Sequence, residues 1–218
     1  MRSQAMTEVW QKTMSLIKPP PHLKISQWAD KFRLLSTESS SEAGKFETAR
    51  AIFQKEIMDS INDPTITEVV VMSCSQIGKT EILLNSIGYY IHYAPAPILV
   101  VHPTLEMARA WSQDRLAPMI RDTEILKYKV AEVKSKDSGN TVLHKIFDGG
   151  HITACGANSP ASLASRPIKI VLCDEIDRYP PTAGSEGDPV MLAKRRSATF
   201  WDSKLVLTST PTVKAPVS

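Results

Sequence analysis

The sequence predicts an α/β protein with a mainly parallel central sheet flanked by helices, and three observations carry that prediction. Short apolar, β-branched-rich runs at 68–72, 98–102, 168–173 and 204–207 read as strands. Segments of helical periodicity follow the first two, an alternation typical of parallel sheets covered on both faces. The 168–173 run delivers two adjacent carboxylates at its C-terminal end, where ligands gather in open α/β sheets.

At 218 residues the chain fits one sizeable domain with a small appendage, and we place the division at 1–45 for a helical appendage and linker and 46–218 for the main domain. No apolar run reaches membrane-spanning length, and the opening Met1-Arg2-Ser3-Gln4 is not that of a signal peptide, so a cytoplasmic protein is expected. A net charge of +3 permits a nucleic-acid partner without demanding one. The densest basic stretch, Lys127 to Lys136, is broken by acidic residues and reads as a solvated face. Cys74, Cys155 and Cys173 have neither disulfide nor zinc spacing and are expected to act as small buried hydrophobes.

In chain order, 7–16 reads as a short helix stopped by Pro19-Pro20-Pro21. Residues 25–35 read as a second helix with Ser26 as N-cap, and 47–61 as a third, ended by Asn62-Asp63-Pro64. Strand 68–72 is expected to be buried. Tyr93-Ala94-Pro95-Ala96-Pro97 breaks the next helix before strand 98–102, and Thr104 then caps a helix over 105–120. Asp148-Gly149-Gly150 between 142–147 and 151–155 is a hairpin signal, because such turns need positive φ. Residues 156–167 read as a long loop, or a loop plus helical turn, of small residues, 190–199 as a helix, and 204–207 as a strand with the polar tip Thr208-Ser209-Thr210.

The chemistry concentrates in two motifs. Strand 68–72 runs into Ser73-Cys74-Ser75-Gln76-Ile77-Gly78-Lys79-Thr80-Glu81 and then a helix, the layout of a phosphate-binding P-loop. Backbone N–H groups and the positive helix end would surround nucleotide phosphates; Gly78 allows close approach, Lys79 reaches the β and γ phosphates, and the Thr80 hydroxyl holds Mg²⁺. Ser73 stands where the usual pattern has glycine. The second motif is Asp174-Glu175: Asp174 would hold Mg²⁺, and Glu175 would orient and deprotonate the attacking water, with Asp177 as the substitute. Phe53-Gln54, upstream of the P-loop, is a candidate adenine site. In P-loop enzymes with a catalytic glutamate, a strand such as 204–207 lies between the P-loop and Asp-Glu strands, which lets Thr208, Ser209 and Thr210 sense the γ-phosphate.

With these residues assembled, roughly residues 25 to 212 resemble the ATPase domain of phage terminase large subunits, particularly the lambda-type GpA family. The resemblance rests on Trp28-Ala29-Asp30, Phe53-Gln54, 75–81, Pro103-Thr104, 156–160, 174–180, Glu186-Gly187-Asp188-Pro189 and Ser209-Thr210-Pro211. It implies a P-loop NTPase of the ASCE/RecA-like type that hydrolyses Mg²⁺-ATP to drive double-stranded DNA into a procapsid. The implied partners are a small terminase subunit, the portal and further copies in a ring. Many terminases carry an arginine inside the P-loop where this chain has Ser75. Arg166 resembles in placement the arginine that related motors offer to a neighbouring nucleotide, with Arg195 and Arg196 as substitutes. The terminase nuclease domain is not expected after Thr212. Two other readings stay open at this point: a helicase-like DNA-dependent translocase, and a truncated nucleotide-binding module with little turnover.

Overall fold

The computed structural model describes residues 10, 22–38, 42–130, 139–160, 163 and 166–211. Two short strands, β1 (Leu34–Leu35) and β2 (Gly44–Lys45), pair antiparallel. The main sheet contains β3 (Glu68–Met72), β4 (Ile98–His102), β5 (His144–Phe147), β6 (Gly150–Gly156), β7 (Ile170–Cys173) and β8 (Lys204–Ser209). Their spatial order is β3-β8-β7-β4-β6-β5, parallel throughout except for the β5–β6 hairpin. The last strand in sequence therefore lies between the P-loop strand and the Asp-Glu strand, as expected.

The helices are α1 (Ile25–Phe32), α2 (Phe53–Ile61), α3 (Lys79–His92), α4 (Leu105–Trp111), α5 (Ala117–Asp122), α6 (Glu124–Lys127) and α7 (Pro189–Arg195). Strand side chains alternate between faces. Ile98, Val100, Ile170, Leu172 and Val206 join the core that also holds Ile82, Leu83 and Ile87 of α3. Leu99, Val101, Val171, Cys173 and Leu205 face the other way, against Leu163, Ile168 and the α7 residues Leu192 and Ala193. No helix among the described residues is long and apolar enough to cross a membrane.

The segment before residue 46 packs directly on the domain. Ile25, Trp28 and Ala29 are fully buried in the α3-side core. Trp28 lies so close to α3 that a Cβ on Gly88 would come within 2.2 Å of its ring, and its Nε1 donates to His92 Nδ1 at 2.9 Å. Asp30 accepts from the backbone N and the hydroxyl of Thr48 at 2.6 and 2.7 Å. Helix α1 is thus tied to α3 by Trp28 and to the 3₁₀ turn at Thr48–Ala51 by Asp30, two of the residues in the Trp-Ala-Asp motif.

Several local expectations are corrected. Ser26 lies inside α1; the cap is Lys24, whose N–H donates to Gln27 Oε1 at 2.9 Å. The 25–35 helix stops at Phe32, because Arg33 turns extended to bury its side chain and Leu34–Leu35 pair with Gly44–Lys45. The 47–61 helix begins as a 3₁₀ turn, Thr48–Ala51, before α2. The 105–120 helix contains a π-helical turn at Ser112–Leu116, and 190–199 is helical only as Pro189–Arg195, capped by Asp188. Strand β3 is mostly exposed: among the described residues it has a neighbour strand on one side only, and Val70 and Met72 are exposed. Cys74 is exposed in the loop beyond it, whereas Cys155 and Cys173 are buried and their thiols are pushed up to about 12 by desolvation. The helix read at 7–16, apart from Trp10, and Lys134 and Lys136 lie outside the described residues.

Candidate active site

Strand alternation decides which side chains converge. Val100, Leu172 and Val206 face α3, so the next residues of that face, His102, Asp174 and Thr208, stand over the N-terminus of α3 at the sheet's carboxyl edge. The Thr208 hydroxyl donates to Asp174 Oδ1 at 2.6 Å. Ser209 Oγ accepts from the Asp177 backbone N at 3.1 Å, and Thr210 Oγ1 accepts from Lys79 Nζ at 2.6 Å. Three consecutive residues at the tip of β8 therefore touch both motifs.

The loop itself starts as a continuation of the ladder, with Ser73 N donating to Ser209 O at 3.2 Å. It then turns through left-handed conformations at Gln76 (φ 61°) and Gly78 (φ 85°) before α3 begins at Lys79. Gly78 is required twice over: positive φ disfavours side chains, and a Cβ would stand 2.3 Å from Gln54 Nε2. Gln54, 5% exposed, donates to Ile77 O at 2.9 Å and props the loop from behind. Its amide nitrogen is thus engaged by the backbone, leaving Oε1 without a partner; the adjacent Phe53 is half exposed. Behind the helix start, Arg33 pairs with Glu81 at 3.1 Å, with its own side chain almost fully buried.

The residues fit a phosphate group and Mg²⁺. Lys79 Nζ, in a buried residue, donates to Cys74 O at 2.8 Å as well as to Thr210. These neutral oxygens mark where an ammonium seeks acceptors, and anionic oxygens would compete well, since charge-assisted hydrogen bonds are about twice as strong. Thr80, Asp174 and Glu175 line one cleft of about 200 Å³ together with His102, Trp111, Asp114 and Arg115. No group of three or more His, Cys, Asp or Glu among the described residues is placed to hold a metal alone. Mg²⁺ is bound through one or two carboxylates plus phosphates and waters, and Thr80 and Asp174 supply oxygen donors at the cleft.

Electrostatically, burial pushes the Asp174 carboxyl above the usual range, opposed by the Thr208 hydrogen bond and the charge of Lys79. Glu175 occupies the left-handed region (φ 54°), an uncommon conformation for a side-chain-bearing residue and one that clusters at functional sites. Arg178 Nη1 stands 3.1 Å from Glu175 Oε2 as an ion pair, although outside hydrogen-bonding geometry.

The structure brings Lys79, Thr80, Asp174, Glu175, Thr208, Ser209 and Thr210 together, while Ser75 and Gln76 remain exposed on the loop. Arg166 is elsewhere: it is exposed, with Nη1 3.3 Å from His144 Nε2 on β5, and does not line the cleft. Sequence reasoning missed His102, Trp111, Asp114 and Arg115. The rule that flagged Asp174, a polar residue at the carboxyl end of an apolar strand, applies equally to His102; the other three had no local signal.

A family model described as "Phage terminase large subunit gpA, ATPase domain" matches residues 40–217. The chain belongs to that family. A curated relative, the terminase large subunit of Enterobacteria phage P21, is 30% identical over 92% of the chain, which spans 31% of that relative's length. Among solved structures, the large terminase ATPase domain of Thermus phage P74-26 is similar in fold, with a TM-score of 0.51 at 15% identity, covering 74% of this chain and 65% of that one. The chain is thus a terminase ATPase domain with the mixed α/β, P-loop architecture expected of the family, and the helicase-like alternative is not favoured.

Proposed function

We propose that this domain binds Mg²⁺-ATP and hydrolyses it to power translocation of double-stranded DNA into a procapsid in the host bacterial cytoplasm, alongside a small terminase subunit and the portal. The observation that carries the reading is the tip of β8, where Thr208, Ser209 and Thr210 bond in turn to the Asp174 carboxylate, the Asp177 backbone and the Lys79 ammonium. A change at the γ-phosphate position would reach the Asp-Glu strand through that single segment. Lys79 would take phosphate oxygens, Thr80 and Asp174 would hold Mg²⁺, and Mg²⁺ would neutralise charge on the phosphates. Glu175 would accept the proton of the attacking water. Phe53 would offer an apolar face to the base, with Gln54 Oε1 as the remaining polar atom there.

Arg166 fits a finger supplied to a neighbouring subunit. The P-loop follows β3 at one edge of the sheet, whereas Arg166 lies against β5 at the opposite edge. A head-to-tail ring brings such opposite edges together. The test of the core reading is Glu175→Gln. It should keep Mg²⁺-ATP affinity and lower turnover by on the order of 10²–10⁴-fold; normal hydrolysis by that variant would move the role to Asp177, and binding without turnover by the unaltered chain would favour a binding module.

A further inference from the structure

Arg33 is a charged residue inside the core, 2% exposed, and the chain leaves helix α1 at this position. Its guanidinium has few acceptors. Nη1 donates to Leu34 O and Nη2 to Glu81 Oε2 at 3.1 Å, while the buried Nε has no hydrogen-bond partner. The charge of Asp122 also acts on Arg33, but that carboxylate accepts from Arg121 at 2.6 and 2.9 Å. Glu81 is therefore the ion-pair partner of Arg33 among the described residues. Burying a guanidinium is costly, and an apolar pair of similar volume often serves packing as well or better. The charge itself needs a reason.

Glu81 supplies one. It is the third residue of α3, after Lys79 and Thr80, in the first turn of the helix whose amino end faces phosphate. That helix end favours a carboxylate, yet it also favours a phosphate, and the two negative charges repel. Screening is weak, because the Glu81 side chain is only 20% exposed and that of Arg33 1%. An unpaired Glu81 would oppose every phosphate ligand; paired with Arg33 it is close to neutral.

We propose that Arg33 is a positioning residue for nucleotide: by cancelling the Glu81 charge at the phosphate end of α3, it couples the segment from α1 to β2 to occupancy of the P-loop. This rests on the Mg²⁺-ATP reading and adds to it a residue that neither motif contains. Coupling is reciprocal. If the ordered Arg33 favours phosphate at the P-loop, phosphate at the P-loop favours the ordered Arg33, and with it the strand pair that follows. The Phe46 amide reports on that order, since it donates to Arg33 O at 3.0 Å.

The test compares Arg33→Met, Glu81→Gln and the double variant, each checked for folding by thermal melting, with calorimetry of Mg²⁺-ATP binding at low and high salt. Arg33→Met should bind ATP about tenfold more weakly at low salt and less so at high salt. Glu81→Gln should bind a few-fold more tightly than the unaltered chain, because an uncancelled cation remains. Arg33→Met/Glu81→Gln should recover the affinity of the unaltered chain, which a merely structural arginine would not allow. Amide exchange at Phe46 should slow on adding Mg²⁺-ATP to the unaltered chain and not respond in the double variant. A double variant as weak as Arg33→Met, or Phe46 exchange in the unaltered chain indifferent to ATP, would overturn the proposal and leave the nucleotide site standing. Should Arg33→Met not fold, Glu81→Gln decides: tighter binding sustains the proposal, and equal or weaker binding overturns it. Failure of the unaltered chain to bind ATP would instead overturn the nucleotide reading and the proposal with it.

Discussion

The two ends of β8 solve the same problem for opposite purposes. At its amino end Lys204, 6% exposed, donates to the carbonyls of Asp63 and Ile66 and stitches the α2–β3 connection to the sheet. At its carboxyl end another buried lysine, Lys79, donates to the Cys74 carbonyl and the Thr210 hydroxyl. Both ammonium groups rest on neutral oxygens. The difference lies in what surrounds them: Lys204 is enclosed by strand ends and has nowhere else to go, whereas Lys79 opens a helix beside a cleft lined by Thr80, Asp174 and Glu175. A buried lysine is structural where its acceptors are final, and functional where better acceptors can replace them.

The largest expected effect lies beyond this comparison within one chain. If Arg166 completes a neighbour's site, Arg166→Ala should lower turnover of an assembled motor by about 10³–10⁵-fold, the range for arginine fingers. Mixing Arg166→Ala with Lys79→Ala subunits should restore part of the activity, because one intact site forms at a mixed interface; mixtures that assemble normally yet never exceed either variant alone would end the trans assignment.

The comparison itself is tested by exchanging its two lysines. Lys79→Ala should lower turnover by on the order of 10²–10³-fold, as losing a donor to developing charge does, and leave the denaturation midpoint nearly unchanged. Lys204→Met should do the reverse, costing about 2 kcal/mol of stability because two buried carbonyls lose their donor, with KM for ATP unaltered. Should both variants lose stability alike, the functional distinction between the two ends would collapse.

Asp174→Asn sharpens it further. The folded-state pKa of this carboxyl is raised, so its ionised form works against folding at neutral pH. Asparagine keeps the acceptor for Thr208 and removes the charge. Calorimetric melting of the nucleotide-free chain should rise by about 2–4 °C, while Mg²⁺-dependent tightening of ATP binding disappears. A lower melting temperature would show that the carboxylate is a structural partner of Thr208 and Lys79.

The smallest effect concerns acid. His102 titrates near 6.5 when unfolded and at about 4 in the fold, so the unfolded chain binds more protons between those values and stability falls as pH drops through that window. Urea unfolding at about pH 7 and pH 5 should show a shallower decline for His102→Gln than for the unaltered chain. The remaining slope belongs partly to His92, His144 and His151, whose pKa values burial also lowers. An unchanged slope would mean that His102 is not shielded as its burial implies.

The sequence by itself determined the strands of the main sheet, the hairpin, the P-loop and the Asp-Glu motif, because each is written in neighbouring residues: β-branched runs, a turn needing positive φ, a glycine before Lys79. It also implied the place of β8, since family resemblance orders the sheet. It misjudged what depends on distant partners. Strand β3 reads as buried by composition, but among the described residues it has a neighbour strand on one side only and leaves Val70 and Met72 exposed. Residues 25–35 read as one helix, but Arg33 turns extended and Leu34–Leu35 pair with Gly44–Lys45. The cleft is the clearest case: His102 and Trp111 are nine residues apart in the chain, and only the turn from β4 into α4 and the sheet order beside β7 bring them to the cleft that Glu175 also lines. Local patterns record what a segment can become; which polar atoms end up sharing a cavity is settled by packing, where burial removes water and leaves each unpaired group to find its partner across the fold.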